Sequence, residues 1–284
     1  MVRPQARYGR WFDWLAALPL AVYGLIVLAL VMSLFLRITP TAVRTAFSDP
    51  ALWWSIWLSL WTTVISTALA LAVAIPGGYF LSRNRFPGYV VVDTLLDIPI
   101  VLPPLVMGLC VLIFFRTPIG YYLDRRLLED LGALLGREFA RKGAGLFIFE
   151  RPGIVLVQFV VGCAFAVRVL KAGFDDLDPR YEEVAHALGA NRQQAFFKVA
   201  LPNIVPSLVA GGVISWARIF GLFGPVLLVA GTMRGHTEIM PTTIFLETSI
   251  GRIDVALVVG ALMILISATV LVIFKRLGGK GYLW

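Results

Sequence analysis

Between two long apolar runs the chain reads Asp178-Pro-Arg-Tyr-Glu-Glu-Val-Ala-His-Ala-Leu-Gly-Ala-Asn-Arg-Gln-Gln-Ala-Phe-Phe-Lys-Val-Ala-Leu-Pro202. The segment is polar and helical by composition. Asp178 is placed to cap a helix that has Pro179 at its first position. Glu182 and Glu183 then fall in the first turns, where negative charge suits the helix dipole. Gly189 is placed to end that helix, because a terminal residue at positive φ is cheap only for glycine. A second helix is expected over about 191–199, with Pro202 as its stop. On it Ala195, Phe196 and Val199 make an apolar stripe. A short helix, a tight turn and another short helix form a compact knob suited to docking in a groove of a soluble partner. The rival reading is an amphipathic linker lying on a membrane.

The flanks of the knob decide what it is attached to. Of 284 residues, 59% are hydrophobic and 15% charged, with a mean hydropathy of +0.84. A soluble domain carries about 25% charged residues, so this chain has too little polar surface to coat a water-soluble body. That composition argues against a soluble enzyme, a disordered chain or a nucleic-acid binder. The net charge of +8 is read instead as Lys and Arg anchoring helix ends at lipid headgroups. Apolar stretches lie at 15–36, 51–82, 94–115, 153–167, 204–230 and 255–274. A span takes about 20 residues, and backbone in lipid must bond internally. An all-α membrane protein of about six helices follows. The second stretch is expected to kink or end at Pro76-Gly77-Gly78, and Pro103-Pro104 to break the third near its centre. The fourth is short and borrows from its flanks. Trp11 and Trp14, then Trp53, Trp54, Trp57 and Trp61, read as interfacial belts. Cys110 and Cys163 read as packed membrane residues. Residues 1–50 make a tail, a first helix and an outer loop; 51–284 make a core that holds the knob loop, 174–202.

With six spans both ends share a side. Basic residues in the loops of the two sides number 13 and 11, so loop charge does not orient the chain. The tails, with Arg3, Arg7, Arg10, Lys275, Arg276 and Lys280, favour both termini in the cytoplasm.

Glu183-Val184-Ala185, then Gly189, then Val199-Ala200-Leu201-Pro202 resembles the EAA motif of ATP-binding-cassette importer permeases: Glu-Ala-Ala, three residues, Gly, nine residues, Ile-x-Leu-Pro. Val184 and Val199 are conservative departures. The resemblance implies that the knob is a coupling helix seated in a cytoplasmic ATPase subunit. Glu182, Glu183, Ala185, Gly189, Ala190, Phe196, Val199, Leu201 and Pro202 are then the coupling residues, in a type I importer permease arrangement. Asp93-Thr-Leu-Leu-Asp97-Ile-Pro99-Ile-Val-Leu-Pro103-Pro104-Leu-Val-Met-Gly108 resembles the third-span signature of molybdate, tungstate and sulfate permeases. Ala217-Arg218-Ile-Phe-Gly221-Leu-Phe-Gly224 resembles their Ala-Arg-x-x-Gly-Glu-Phe-Gly. Leu222 stands where that group commonly has Glu, so permeases for ferric iron, thiamine or polyamines stay open. The resemblance implies a prokaryotic inner membrane protein, a homodimer, two ATPase subunits that use ATP and Mg, and an extracytoplasmic solute-binding protein.

Arg218 lies about 21 Å along the fifth span at 1.5 Å per residue. An ionised group there costs at least about 2.5–3.5 kcal/mol and normally faces the bundle interior. It is a candidate lining or gating group for an anion path, with Pro103, Pro104 and Gly221 beside it; the rival is a structural role bonding neighbouring carbonyls. Gly211-Gly212 favours close helix approach. Asp97, only about 5 Å into the third span, reads as an interfacial cap. Leu123, Leu127, Leu128, Leu131, Leu134 and Leu135 fall at helical spacing, which predicts an amphipathic outer helix and possible docking face for the binding protein. His186 and His236 are too far apart for a metal site. The sequence holds no phosphate-binding loop, so no cofactor is expected on this chain, and no catalytic set for a membrane enzyme. A secondary transporter would place acidic or polar ion ligands near the midplane, where only Arg218 falls.

Overall fold

The computed structural model describes residues 10–135 and 145–277. In chain order its helices are α1 (Arg10–Leu36), α2 (Pro40–Ser48), α3 (Pro50–Arg83), α4 (Tyr89–Val101), α5 (Pro104–Arg116), α6 (Pro118–Leu135) and α7 (Arg151–Asp175). The knob follows as α8 (Arg180–Ala187), α9 (Arg192–Ala195), a π turn (Phe196–Ala200) and α10 (Leu201–Asn203). The chain closes with α11 (Val205–Phe220), α12 (Gly224–Ala230), α13 (Met240–Ser249) and α14 (Ile253–Leu277). Helices α1, α3, α7 and α14 each contain a run long and apolar enough to cross a membrane; two bent pairs, α4 with α5 and 192–203 with α11, raise the number to six.

The centre is the pairing of α3 with α7. The buried face of α3 begins with Ser55, Ser59, Thr62, Thr63, Ser66 and Thr67, and continues with Ala70, Ala74 and Gly78. Helices in hydrocarbon gain little from the hydrophobic effect, so small side chains and hydrogen bonds hold them together. Thr62 and Thr67 donate to their own helix, at Leu58 O (2.8 Å) and Thr63 O (2.7 Å). The Ser66 hydroxyl reaches across to Val155 O and to Gln158 Oε1, both at 3.1 Å. A Cβ on Gly78 would come within 3.0 Å of Lys171 N. Ser215 of α11 donates to Gly162 O at 3.1 Å, locking α11 onto the same face of α7. Gly211 and Gly212 are buried against α7 and α3, where a Cβ would lie 3.4 Å from Val169 and Leu71, an ordinary contact distance.

Several expectations are corrected. Of the two outcomes expected at Pro76-Gly77-Gly78, an end is excluded: helix α3 runs through to Arg83 with Pro76 inside it, and Gly78 lies against Leu170 and Lys171 of α7. The fifth span does not reach residue 230. Helix α11 stops at Phe220, and α12 is a separate short helix starting with Gly224-Pro225. Pro202 does not stop the second knob helix, because the π turn, with Leu201 N donating to Phe196 O, carries the helix past it to Asn203. The break comes at Ile204, with a bend of 69°. The third span breaks where Pro103-Pro104 predicts, but as a 113° turn between α4 and α5. The fourth span borrows from both flanks as expected, extending to Arg151–Asp175. Cys110 is exposed on the bundle surface rather than packed, and Cys163 is half-buried. Helix α6 confirms the helical spacing of its leucines; residues 136–144 of that loop lie outside the described residues.

Candidate functional site

The knob is capped much as its sequence demands. Asp178 Oδ1 accepts from Arg180 N at 2.9 Å, so α8 starts one residue later than predicted, with Pro179 just before it. Gly189 adopts φ +89°, and its N–H donates to His186 O at 2.9 Å. Asn191 and Gln194 then cap each other reciprocally across the start of α9, at 2.8 and 2.9 Å.

Which faces the knob turns inward was not legible. Glu182 is 7% exposed. Its Oε1 accepts from Arg83 Nε at 2.8 Å and its Oε2 from the Tyr79 hydroxyl at 2.5 Å. The predicted stripe points into the bundle, away from any soluble partner. Ala195 is buried, Val199 half-buried, and the Phe196 ring lies 4.7 Å from that of Tyr79. Ala185, Ala190 and Leu201 are also half-buried, while Glu183, Gly189 and Pro202 are exposed. The outward apolar surface is Tyr181, Val184, Leu188 and Phe197, with Leu188 84% and Phe197 63% exposed. A cleft of about 400 Å³ runs along the knob's root, lined by Tyr79, Arg83, Pro179, Glu182, Glu183, His186 and Arg192. Sequence reasoning missed Arg83 and Tyr79, since an arginine ending an apolar run reads as a headgroup anchor.

In the bundle, Arg218 sits in the last turn of α11, exposed on the face of this single chain. Its guanidinium stacks over the Phe165 ring at 5.0 Å and has no ion pair among the described residues. Pro103, Pro104 and Gly221 are exposed as well. Asp97 proves to be more than a cap: it and Asp93 on α4 pair with Arg168 of α7, Asp93 at 2.9 Å. That network ties the bent α4 to the central pair.

At the end of the bundle away from the knob, the loop between α12 and α13 is clamped by charge. Arg234 pairs with Glu247 and, at 3.8 Å, with Asp49; Arg252 reaches Glu247 at 3.2 Å. His236 lies 3.3 Å from Glu150, with no cluster able to hold a metal among the described residues. Glu238 is 0% exposed, and both its carboxyl oxygens lack a hydrogen-bond partner among the described residues. Burial therefore pushes its pKa above the ordinary carboxylate value; the nearby Thr243 hydroxyl, which donates to Ile239 O, and Arg234 oppose the shift, and Glu247 and Asp49 assist it. The folded state holds this proton more tightly than the unfolded chain, so stability from this group falls as pH rises from the unfolded value through the raised one. Glu238→Gln is expected to flatten that slope and raise thermal stability at neutral pH, checked by melting the detergent-extracted protein across pH.

Bent and continuous spans around a helical knob define the class: a helical membrane protein of about six spans. Residues 74–280 match the family described as binding-protein-dependent transport system inner membrane component, and the chain belongs to that family. The sulfate transport system permease protein CysT of Escherichia coli (strain K12) is 31% identical over 197 residues, covering 69% of this chain and 65% of its own length. The chain thus spans just under two thirds of that relative. The molybdenum transport system permease protein ModB of the same strain is 29% identical over 176 residues, covering 61% of this chain and 71% of its own. The fold is shared with a bacterial ABC transporter involved in the import of the acidic polysaccharide alginate, at a TM-score of 0.73, 18% identity, and coverage of 94% and 95%.

Proposed function

We propose that this chain forms the translocation path of an ATP-driven importer for a small oxyanion of the sulfate, molybdate or tungstate class. The observation that carries the reading is the knob: its root is locked inward through Glu182, and its outer face leaves Tyr181, Val184, Leu188 and Phe197 without cover. Apolar residues standing out from a helical knob suit a groove in a second protein. That protein is a cytoplasmic ATPase, which places the knob and both termini in the cytoplasm, and the loop with Arg234 and Glu238 outside. ATP and Mg belong to the ATPase; its closure pushes the knob and re-aims the path from inward-facing to outward-facing.

A homodimer is favoured by Arg218. A guanidinium with no ion pair among the described residues, about 20 Å along α11 from its knob end, does not belong against lipid. A second copy facing it makes an enclosed path with positive charge, which suits an anion. Kinship to CysT and ModB supports sulfate and molybdate ahead of cationic solutes. A binding protein docking on the outer side delivers the solute and carries most of the selectivity.

The test is co-purification with a co-expressed ATPase, followed by uptake of labelled sulfate with molybdate and tungstate as competitors. Loss of uptake is expected in Glu183→Arg, which reverses charge on the exposed face of the knob. An ATPase that never binds the wild-type chain would sink the importer reading. Uptake indifferent to all three anions would sink the oxyanion assignment and bring ferric iron, thiamine or polyamines forward.

A further inference from the structure

We propose that Arg83 is the positioning residue that makes the knob move as one piece with α3 and α7. The inference rests on the reading of the knob as the motor's contact. Arg83 is the last residue of α3, and its guanidinium bonds two further elements at once. Nε donates to Glu182 Oε1 on α8 at 2.8 Å. Nη1 donates to Phe174 O at 2.8 Å and Nη2 to Leu177 O at 3.0 Å. Phe174 lies in the last turn of α7, where helical carbonyls lack an intrahelical donor. The arginine thus closes the end of α7 and holds the knob's carboxylate with the same planar group. Tyr79, one turn back on α3, takes the other oxygen of Glu182.

The alternative is an ordinary headgroup anchor, and burial argues against it. The side chains of Arg83 and Glu182 are 13% and 9% exposed. A charge pair held that far from water, with every bond directed, is stiffer than a surface pair. The knob's other attachments carry no second ion pair among the described residues. They include residues 176–179, the join to α11 at Ile204, the Tyr79 to Glu182 hydrogen bond, the apolar packing of Phe196, Ala200, Leu201 and Ile204 on α3 and α7, and an Arg192 to Asn84 hydrogen bond at 3.3 Å that lies in the open. Without the clamp, a push on Leu188 and Phe197 is resisted mainly by apolar packing, which directs the knob less than the forked ion pair does. With it, the push reaches α3 and α7 together. The fork matters as well as the charge, because a lysine at position 83 offers a point charge and cannot span Glu182, Phe174 and Leu177 at once.

The experiment uses the complete complex with its ATPase in lipid nanodiscs. Spin labels are placed at Ala187→Cys on the knob and Leu69→Cys on α3, in one copy, with Cys110 and Cys163 replaced by serine. ATP with orthovanadate is the probe. In wild type the distance between labels is expected to change by less than about 2 Å on trapping, since the two elements move as one body. In Arg83→Lys and Arg83→Ala it is expected to change by about 5 Å or more, with the ATPase still bound. If Arg83→Ala fails to fold, Glu182→Gln, which keeps size and the Tyr79 contact, is expected to give the same loosening. An unchanged distance in Arg83→Lys and Glu182→Gln overturns the clamp. Loss of the ATPase from these variants also overturns it, by placing the pair in the docking face. If the wild-type chain binds no ATPase, the underlying reading fails and the clamp falls with it.

Discussion

Leu188→Glu combined with Phe197→Glu is expected to leave a folded membrane protein that no longer holds its ATPase and imports nothing. Both side chains stand out from the knob, 84% and 63% exposed. Their removal therefore costs the isolated chain almost no packing. In the complex each is expected to be buried against the partner, and burying a Leu or Phe side chain is worth about 1.5–3 kcal/mol. Losing both removes about 3–6 kcal/mol of docking free energy, about a hundred- to ten-thousand-fold in affinity. Two carboxylates then face an apolar groove and lose solvation as well. The measurement is ATPase stoichiometry after affinity purification, with uptake alongside. A variant that keeps its ATPase and transports normally would falsify the docking face. By contrast Phe196, which the sequence places in the coupling set, faces Tyr79 and Phe174, and its loss is expected to act through the stability of the permease.

Gly108→Leu is expected to destabilise the bundle by about 3 kcal/mol, at the upper end of what overpacking costs. A Cβ at Gly108 would lie 2.5 Å from Pro225 Cα and 3.1 Å from Pro225 O. Those are backbone atoms of the first turn of α12, so no side chain can swing aside. Gly224 presses back on Leu105 in the same crossing, where a Cβ would come 2.9 Å from Leu105 Cδ1. After the 113° turn at Leu102 and Pro103, α5 depends on this crossing for much of its seat. Gly108→Ala is expected to cost less, with Gly108→Leu giving an aggregated or low-melting protein. Fluorescence-detected size exclusion after a heat step distinguishes them; a wild-type melting profile for Gly108→Leu would show that α5 and α12 are free to part.

Much of the fold was legible because the signals are local. Apolar runs of span length can satisfy their backbone in lipid only as helices. The caps of the knob's first helix lie within a few residues of the groups they bond, at Asp178 and Gly189. The broken third span was visible because a proline removes its own donor. Proline did not end the helix at Pro76 or at Pro202. Whether a helix ends at a missing donor depends on the bonds around it, as with the π turn before Pro202.

Composition and short-range chemistry by themselves determined that this protein crosses a membrane in about six helices and carries a helical knob between two of them. The tertiary structure alone decided which face of the knob is left uncovered, that Arg83 meets Glu182 across 99 residues of chain, and that Arg168 meets Asp97 across 71. Such partners are chosen by how helices pack, and in this bundle packing follows the small and hydroxylated face of α3. No run of neighbouring residues encodes the distance between two helices.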